Sequence, residues 1–85
     1  MLPNLKKISA KTVGLKQTMK AVRSGRAREV YLARDVDGRL SCEVTALCSS
    51  FNVPVIFVDS MKELGEACGI QVGAATAAVL KESAE

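Results

Sequence analysis

The chain has no histidine, no tryptophan and only three aromatic residues, Tyr31, Phe51 and Phe57. Without an imidazole it lacks the commonest general base and the commonest metal ligand. The cysteines, Cys42, Cys48 and Cys68, are three in number and show no CxxC spacing, so neither a disulfide framework nor a thiolate zinc site fits. They are expected as small buried apolar residues. No stretch approaches the roughly 18 to 20 apolar residues of a membrane helix, and the opening MLPNLKKISAK has no apolar core followed by a small-residue cleavage site. A cytoplasmic location is therefore the expectation. Neither GxxxxGK[ST] nor GxGxxG occurs, which leaves no recognisable phosphate loop.

The most informative absence is local. Residues 1–28 carry eight basic side chains and no acidic one, whereas the rest of the chain carries four basic and nine acidic groups. A net charge of +3 conceals this split. Solubility would be served by interspersed signs. Segregated charge instead makes a positive field on one side of a small protein, and such a field attracts a polyanion.

Eighty-five residues, 48% hydrophobic and 25% charged, suit one globular domain spanning residues 1–85, because a chain this short cannot build two cores. Gly14 and Gly25 bracket an amphipathic run that predicts a helix over about residues 15–24, ended by a left-handed glycine cap. Leu15, Met19 and Val22 form the line expected to face a sheet, and Lys16, Gln17, Lys20 and Arg23 the neighbouring exposed face. No acid stands at i+4 to pair with these cations. The helix start at residues 14–16 also offers unpaired amides and a partial positive charge, favourable to phosphate.

Ahead of this helix, KTV is at most a short edge strand. EVYLAR, residues 29–34, reads as a strand and DVDG as a turn. Leu40, Val44, Leu47, Cys48 and Phe51 recur at helical spacing until Asn52 and Pro54 stop the pattern. The continuous apolar run of residues 53–58 predicts a strand covered on both faces. A capping box at residues 60–63 opens a two-turn helix with Leu64, Ala67 and Cys68 inward, ending at Gly69. GIQVG is then a glycine-bounded loop with Ile70 and Val72 at its tip. AATAAVLK suits a helix or a strand, and propensity does not choose. The alternating order predicts an α/β fold, a three-layer α/β/α sandwich around a mixed or largely parallel sheet.

No constellation of catalytic groups emerges. Asp35 and Asp37 could be imagined around magnesium, but turn making and helix capping are their commoner roles. Ser60 is explained by its cap, and Cys68 has no base nearby in sequence. Neither catalysis, a cofactor nor a metal is expected. For a polyanion partner, three aromatics are too few for a single-strand stacking platform. The major groove of regular A-form RNA is too narrow for a helix. A distorted duplex, an internal loop, is the remaining candidate.

Two segments, GLKQTMKAVRSGRAREVYLARDVD and NVPVIFVDSMKELGEACGIQVGAA, resemble the bacterial branch of the ribosomal-protein family that binds kink-turn RNA. The similarity runs over roughly residues 8–81. It implies RNA binding without catalysis and an α/β/α sandwich around a four-stranded mixed sheet, with residues near 75–80 as the last strand. In that family the start of the first helix enters the major groove at tandem sheared G·A pairs, and the loop between the last helix and last strand packs on an extruded base. By motif position this implies RNA contacts from Gly14, Lys16, Gln17 and Lys20 on the helix and from Ile70, Gln71 and Val72 on the loop.

Lys16 and Gln17 stand where archaeal and eukaryotic members have an asparagine-glutamate pair. One amide oxygen able to meet a guanine edge is kept, a cation is gained and the carboxylate is lost, which shifts the balance from base readout towards phosphate attraction. Gly38 replaces a usual proline. Arg34 stands where an acid is common and is expected to add a contact. The expected partner is a structured RNA containing a kink-turn, in ribosomal RNA or a riboswitch, bound by a monomer. The alternatives are an interaction or ribosome-assembly module with nonspecific RNA affinity, and an accessory recognition domain for an RNA-modifying enzyme.

Overall fold

Alternation along two strands sets the layering. In the computed structural model, which describes residues 5–8 and 10–82, a single 3-10 turn at Leu5–Lys7 precedes β1 (Lys11–Val13), α1 (Leu15–Arg23), β2 (Ala27–Ala33), α2 (Gly38–Ser50), β3 (Val55–Val58), α3 (Met61–Cys68) and β4 (Thr76–Leu80). Val30 and Leu32 of β2, with Ala78 and Leu80 of β4, turn to one side and pack on Ala21 and Val22 of α1 and Val44 and Cys48 of α2. Their neighbours Tyr31, Ala77 and Val79 turn to the other side and meet Leu5 together with Leu64 and Cys68 of α3. The period of two along a strand thus feeds two cores. Each fully buried Leu or Val contributes about 1.5–3 kcal/mol.

The strand order is β1-β4-β2-β3. β4 runs antiparallel to both β1 and β2, and β2 runs parallel to β3. The fold is the three-layer α/β/α sandwich that the order of elements predicts, built on the four-stranded mixed sheet that the family resemblance implies. The ambiguous AATAAVLK is settled as a strand: β4 is central, all five of its residues are buried, and long-range pairing overrides alanine's helical preference.

Several expectations fail for identifiable reasons. The third strand is an edge, with Ile56 39% and Phe57 45% exposed, because an apolar run does not distinguish a central position from an outer one. Phe51 is 44% exposed, since the helical spacing that includes it runs one residue past the end of α2. Cys42 is exposed on the outer face of α2, whereas Cys48 and Cys68 are buried and burial pushes both thiols up. α1 buries Thr18, Ala21 and Val22 and leaves Leu15 and Met19 half-buried. Thr18 is tolerated inside because its hydroxyl shares a 3.1 Å hydrogen bond with that of Thr12. In α3, Gly65 is buried and Ala67 only half so. The glycine stop of α1 does form: the Gly25 amide donates to the Val22 carbonyl (3.1 Å) and the Arg26 amide to that of Ala21 (3.0 Å), a Schellman arrangement.

The phenol of Tyr31 donates to the Glu29 carboxylate at 2.6 Å. Burial, then that hydrogen bond and the carboxylate's charge, raise its pKa above the ordinary tyrosine value. The folded state therefore favours the neutral phenol, and the stability this gives is present below about pH 10 and declines as pH rises beyond it. As this is the chain's single tyrosine and tryptophan is absent, an absorbance titration at 295 nm reads it directly. The folded protein should show no phenolate step near pH 10, and ionisation should coincide with loss of helical circular dichroism.

Candidate nucleic-acid interface

One end of the sheet brings the start of α1 together with the loop that precedes β4. The register Val13↔Ala77, Leu32↔Thr76 and Ala33↔Val58 brings the exits of β1, β2 and β3 together with the entrance to β4. All three helices start there, and the loop preceding β4 ends there. Backbone bonds weld the junctions. The Gly14 amide donates to the Thr76 carbonyl (2.8 Å), Ala33 to Ala75 (2.9 Å), Arg34 to Val58 (2.7 Å) and Ala74 to Met61 (3.0 Å). Inside the weld, the buried Thr76 hydroxyl donates to the Tyr31 carbonyl at 2.6 Å.

The three helix starts differ. In α2 the Asp37 carboxylate accepts from the Arg39 amide at 3.0 Å. In α3 the Ser60 hydroxyl accepts from the Glu63 amide at 3.1 Å, and Asp35 Oδ1 accepts from the Met61 amide at 2.8 Å. The start of α1 has neither a side-chain cap nor an acid in its first turn. Its N-cap, Gly14, sits at φ 103° and ψ 157°, a conformation that only glycine adopts without strain, and its own amide is already bonded to Thr76. The first-turn amides that follow are the orphan donors of a helix N-terminus.

Lys16, Gln17, Lys20 and Arg23 are all exposed. Among the described residues no carboxylate lies within ion-pairing distance of Lys16, Lys20 or Arg23. Other cations of the basic segment are engaged: Lys11 Nζ donates to the Ile8 carbonyl at 2.8 Å, Arg26 pairs with Glu82, and Arg28 lies 3.8 Å from Glu29. Arg34 reaches the same end of the sheet on the β3 side. Its guanidinium stacks 5.2 Å from the Phe57 ring centroid and lies 3.9 Å from Asp59.

The loop begins with Gly69 in the left-handed region. Ile70 is not at its tip: it is half-buried and packs on the α3-side core. Gln71 is exposed and Val72 is 71% exposed. Between the loop and the start of α3 lies a cleft of about 320 Å³, lined by Asp35, Met61, Lys62, Glu66 and residues 70–73. Asp35 takes the capping role expected of it, but on α3 across 26 positions of chain, a tie with no local signature. The packing of Gly65 escaped the sequence and could have been suspected only from a glycine inside a capped helix. Among the described residues no cluster of acidic, cysteine or histidine side chains could hold a metal, and no helix is long and apolar enough to cross a membrane.

A profile of the ribosomal protein L7Ae/L30e/S12e/Gadd45 family matches residues 2–85. Over 69 residues the chain is 52% identical to an RNA-binding protein of Geobacillus kaustophilus and 52% identical to RNA-binding protein YbxF of Geobacillus stearothermophilus, in each case covering 81% of this chain and 84% of the relative. Among solved structures it is similar to the 15.5kD RNA binding protein of Giardia lamblia, with a TM-score of 0.79 and 30% identity over 86% of this chain and 62% of that one. A Bacillus halodurans protein of unknown function superposes with the same TM-score at 26% identity, over 86% of this chain and 73% of that one.

Replacing Gly14 by alanine should cost about 1–3 kcal/mol in urea unfolding, from the forced positive φ. Gly38 has ordinary φ and open space for a Cβ, so Gly38→Ala at the start of α2 should stabilise by about 0.4–1 kcal/mol.

Proposed function

Because this chain belongs to the ribosomal protein L7Ae/L30e/S12e/Gadd45 family, we propose that it is an RNA-binding protein that recognises and stabilises kink-turns. One observation carries this: an uncapped helix start with unneutralised cations and a loop that exposes Val72 share one end of the sheet. The names of its relatives, which are RNA-binding proteins, support the same class.

The first turn of α1 enters the groove opened at tandem sheared G·A pairs. There the free amides and Lys16 neutralise phosphate, the Gln17 amide meets a guanine edge, and Lys20 reaches the backbone one turn on. On the far side of the bend, Val72 and the cleft beside it receive the extruded base, with Gln71 and Ile70 framing it. Arg34 extends the positive rim. A straight duplex offers neither the open groove nor the splayed base, so binding free energy goes selectively to the bent form and shifts the RNA towards it. The protein acts as a monomer of one RNA-binding domain, in the cytoplasm, on ribosomal RNA or a riboswitch. It needs no cofactor and catalyses nothing.

A kink-turn duplex should bind at least tenfold more tightly than one whose G·A pairs are replaced by Watson–Crick pairs, about 1.4 kcal/mol or more. Indistinguishable binding curves would leave only a nonspecific RNA module. Lys20→Ala should weaken binding at moderate salt and reduce the slope of log K against log salt by somewhat less than about one.

A further inference from the structure

The side chain of Val72 points outward because its carbonyl points inward. A Cβ built on Gly65 would lie 2.1 Å from the Val72 carbonyl oxygen and 3.1 Å from the Gly73 Cα. The loop therefore rests backbone against backbone on the middle of α3, where glycine is otherwise a poor helix residue. The contact is one end of a seam. The Ile70 amide donates to the Gly65 carbonyl at 3.1 Å and the Ala74 amide to the Met61 carbonyl at 3.0 Å. One turn earlier, a Cβ on Gly73 would meet the Met61 Cβ at 3.2 Å.

We propose that Gly65 is a positioning residue for RNA recognition: it sets the height at which Val72 meets the extruded base, without touching the RNA itself. The inference rests on the kink-turn function proposed above. With any larger residue at 65 something must give by nearly an ångström. α3 is held by buried Leu64 and Cys68 and by the ties from Asp35 and Ser60. Residues 71–73 are exposed, so the loop is the part that moves. The Gly14–Thr76 bond lies beyond the seam, and the cationic flank of α1 stays in place.

The test measures the affinity of wild type and Gly65→Ala for three RNAs: an intact kink-turn, the same kink-turn with an abasic site at the extruded position, and a plain duplex. The substitution should weaken binding to the intact kink-turn by about tenfold and leave binding to the abasic one unchanged. An equal loss on both kink-turns, or no loss on either, overturns the inference, because a merely structural role does not depend on one base. If Gly65→Ala does not fold, Gly73→Ala makes the milder intrusion into the same seam. It should show a smaller loss confined to the base-bearing RNA, and the absence of that loss overturns the inference equally. Wild type that fails to separate the kink-turn from the plain duplex removes the kink-turn function itself, an outcome visible before any variant is made.

Discussion

The bond from the Gly14 amide to the Thr76 carbonyl is the constraint on which the interface depends. It joins the β1–α1 junction to the first residue of β4, 62 positions along the chain, and makes the helix start and the α3–β4 loop parts of one rigid edge. The buried hydroxyl of Thr76, bonded to Tyr31 in the adjacent strand, fixes the acceptor. Gly14 fixes the donor, since its φ of 103° is what turns the chain from strand into helix while its amide still faces β4. Geometry of this kind is cheap to hold. It consists of main-chain bonds at a sheet end, and the side chains around it remain available for other work.

The α1 helix is built against its own stability. It lacks a side-chain cap, and Lys16 and Lys20 repel each other at i, i+4, a cost of about 0.2–0.5 kcal/mol. The compensation comes from elsewhere: Thr18, Ala21 and Val22 are buried, and the Schellman closure at Ser24 to Arg26 satisfies the final carbonyls. Anchoring by the inner face and the C-terminal turn allows the first turn to remain electrically unsatisfied. The neighbouring helices, both capped by their own side chains, make no such concession.

Much of this architecture could be read from residue patterns, and the failures share a cause. Capping residues, glycine stops and alternating apolar strands act locally, so the helices, their ends at Gly25 and Gly69, and the sandwich were all foreseeable. Edge against centre is a property of the assembled sheet, which is why residues 53–58 looked like an interior strand and the segment of β4 read equally as helix or strand. The basic stripe of α1 was visible from charge alone. The tie from Asp35 to Met61 and the seat of Val72 on Gly65 connect residues distant in the chain or depend on backbone approach, and neither leaves a periodic trace. Ile70 and Val72 look equivalent in GIQVG, yet one is packed and one is bare, because side-chain direction in a loop follows what its carbonyls dock against.

The outer edge of β3 bears on how such a protein survives crowding. Its Pro54 and Val58 carbonyls accept from Val30 of β2 and from Arg34 just past its end, so strand alternation sends the main-chain donors of only Val55 and Phe57 outward. The Val53 amide, next in that row, is already bonded to the Cys48 carbonyl, and the Arg34 guanidinium lies across Phe57. A foreign strand arriving there would find a ladder two rungs long with a cation at its head, a poor template for the stacked growth that apolar margins of sheets invite.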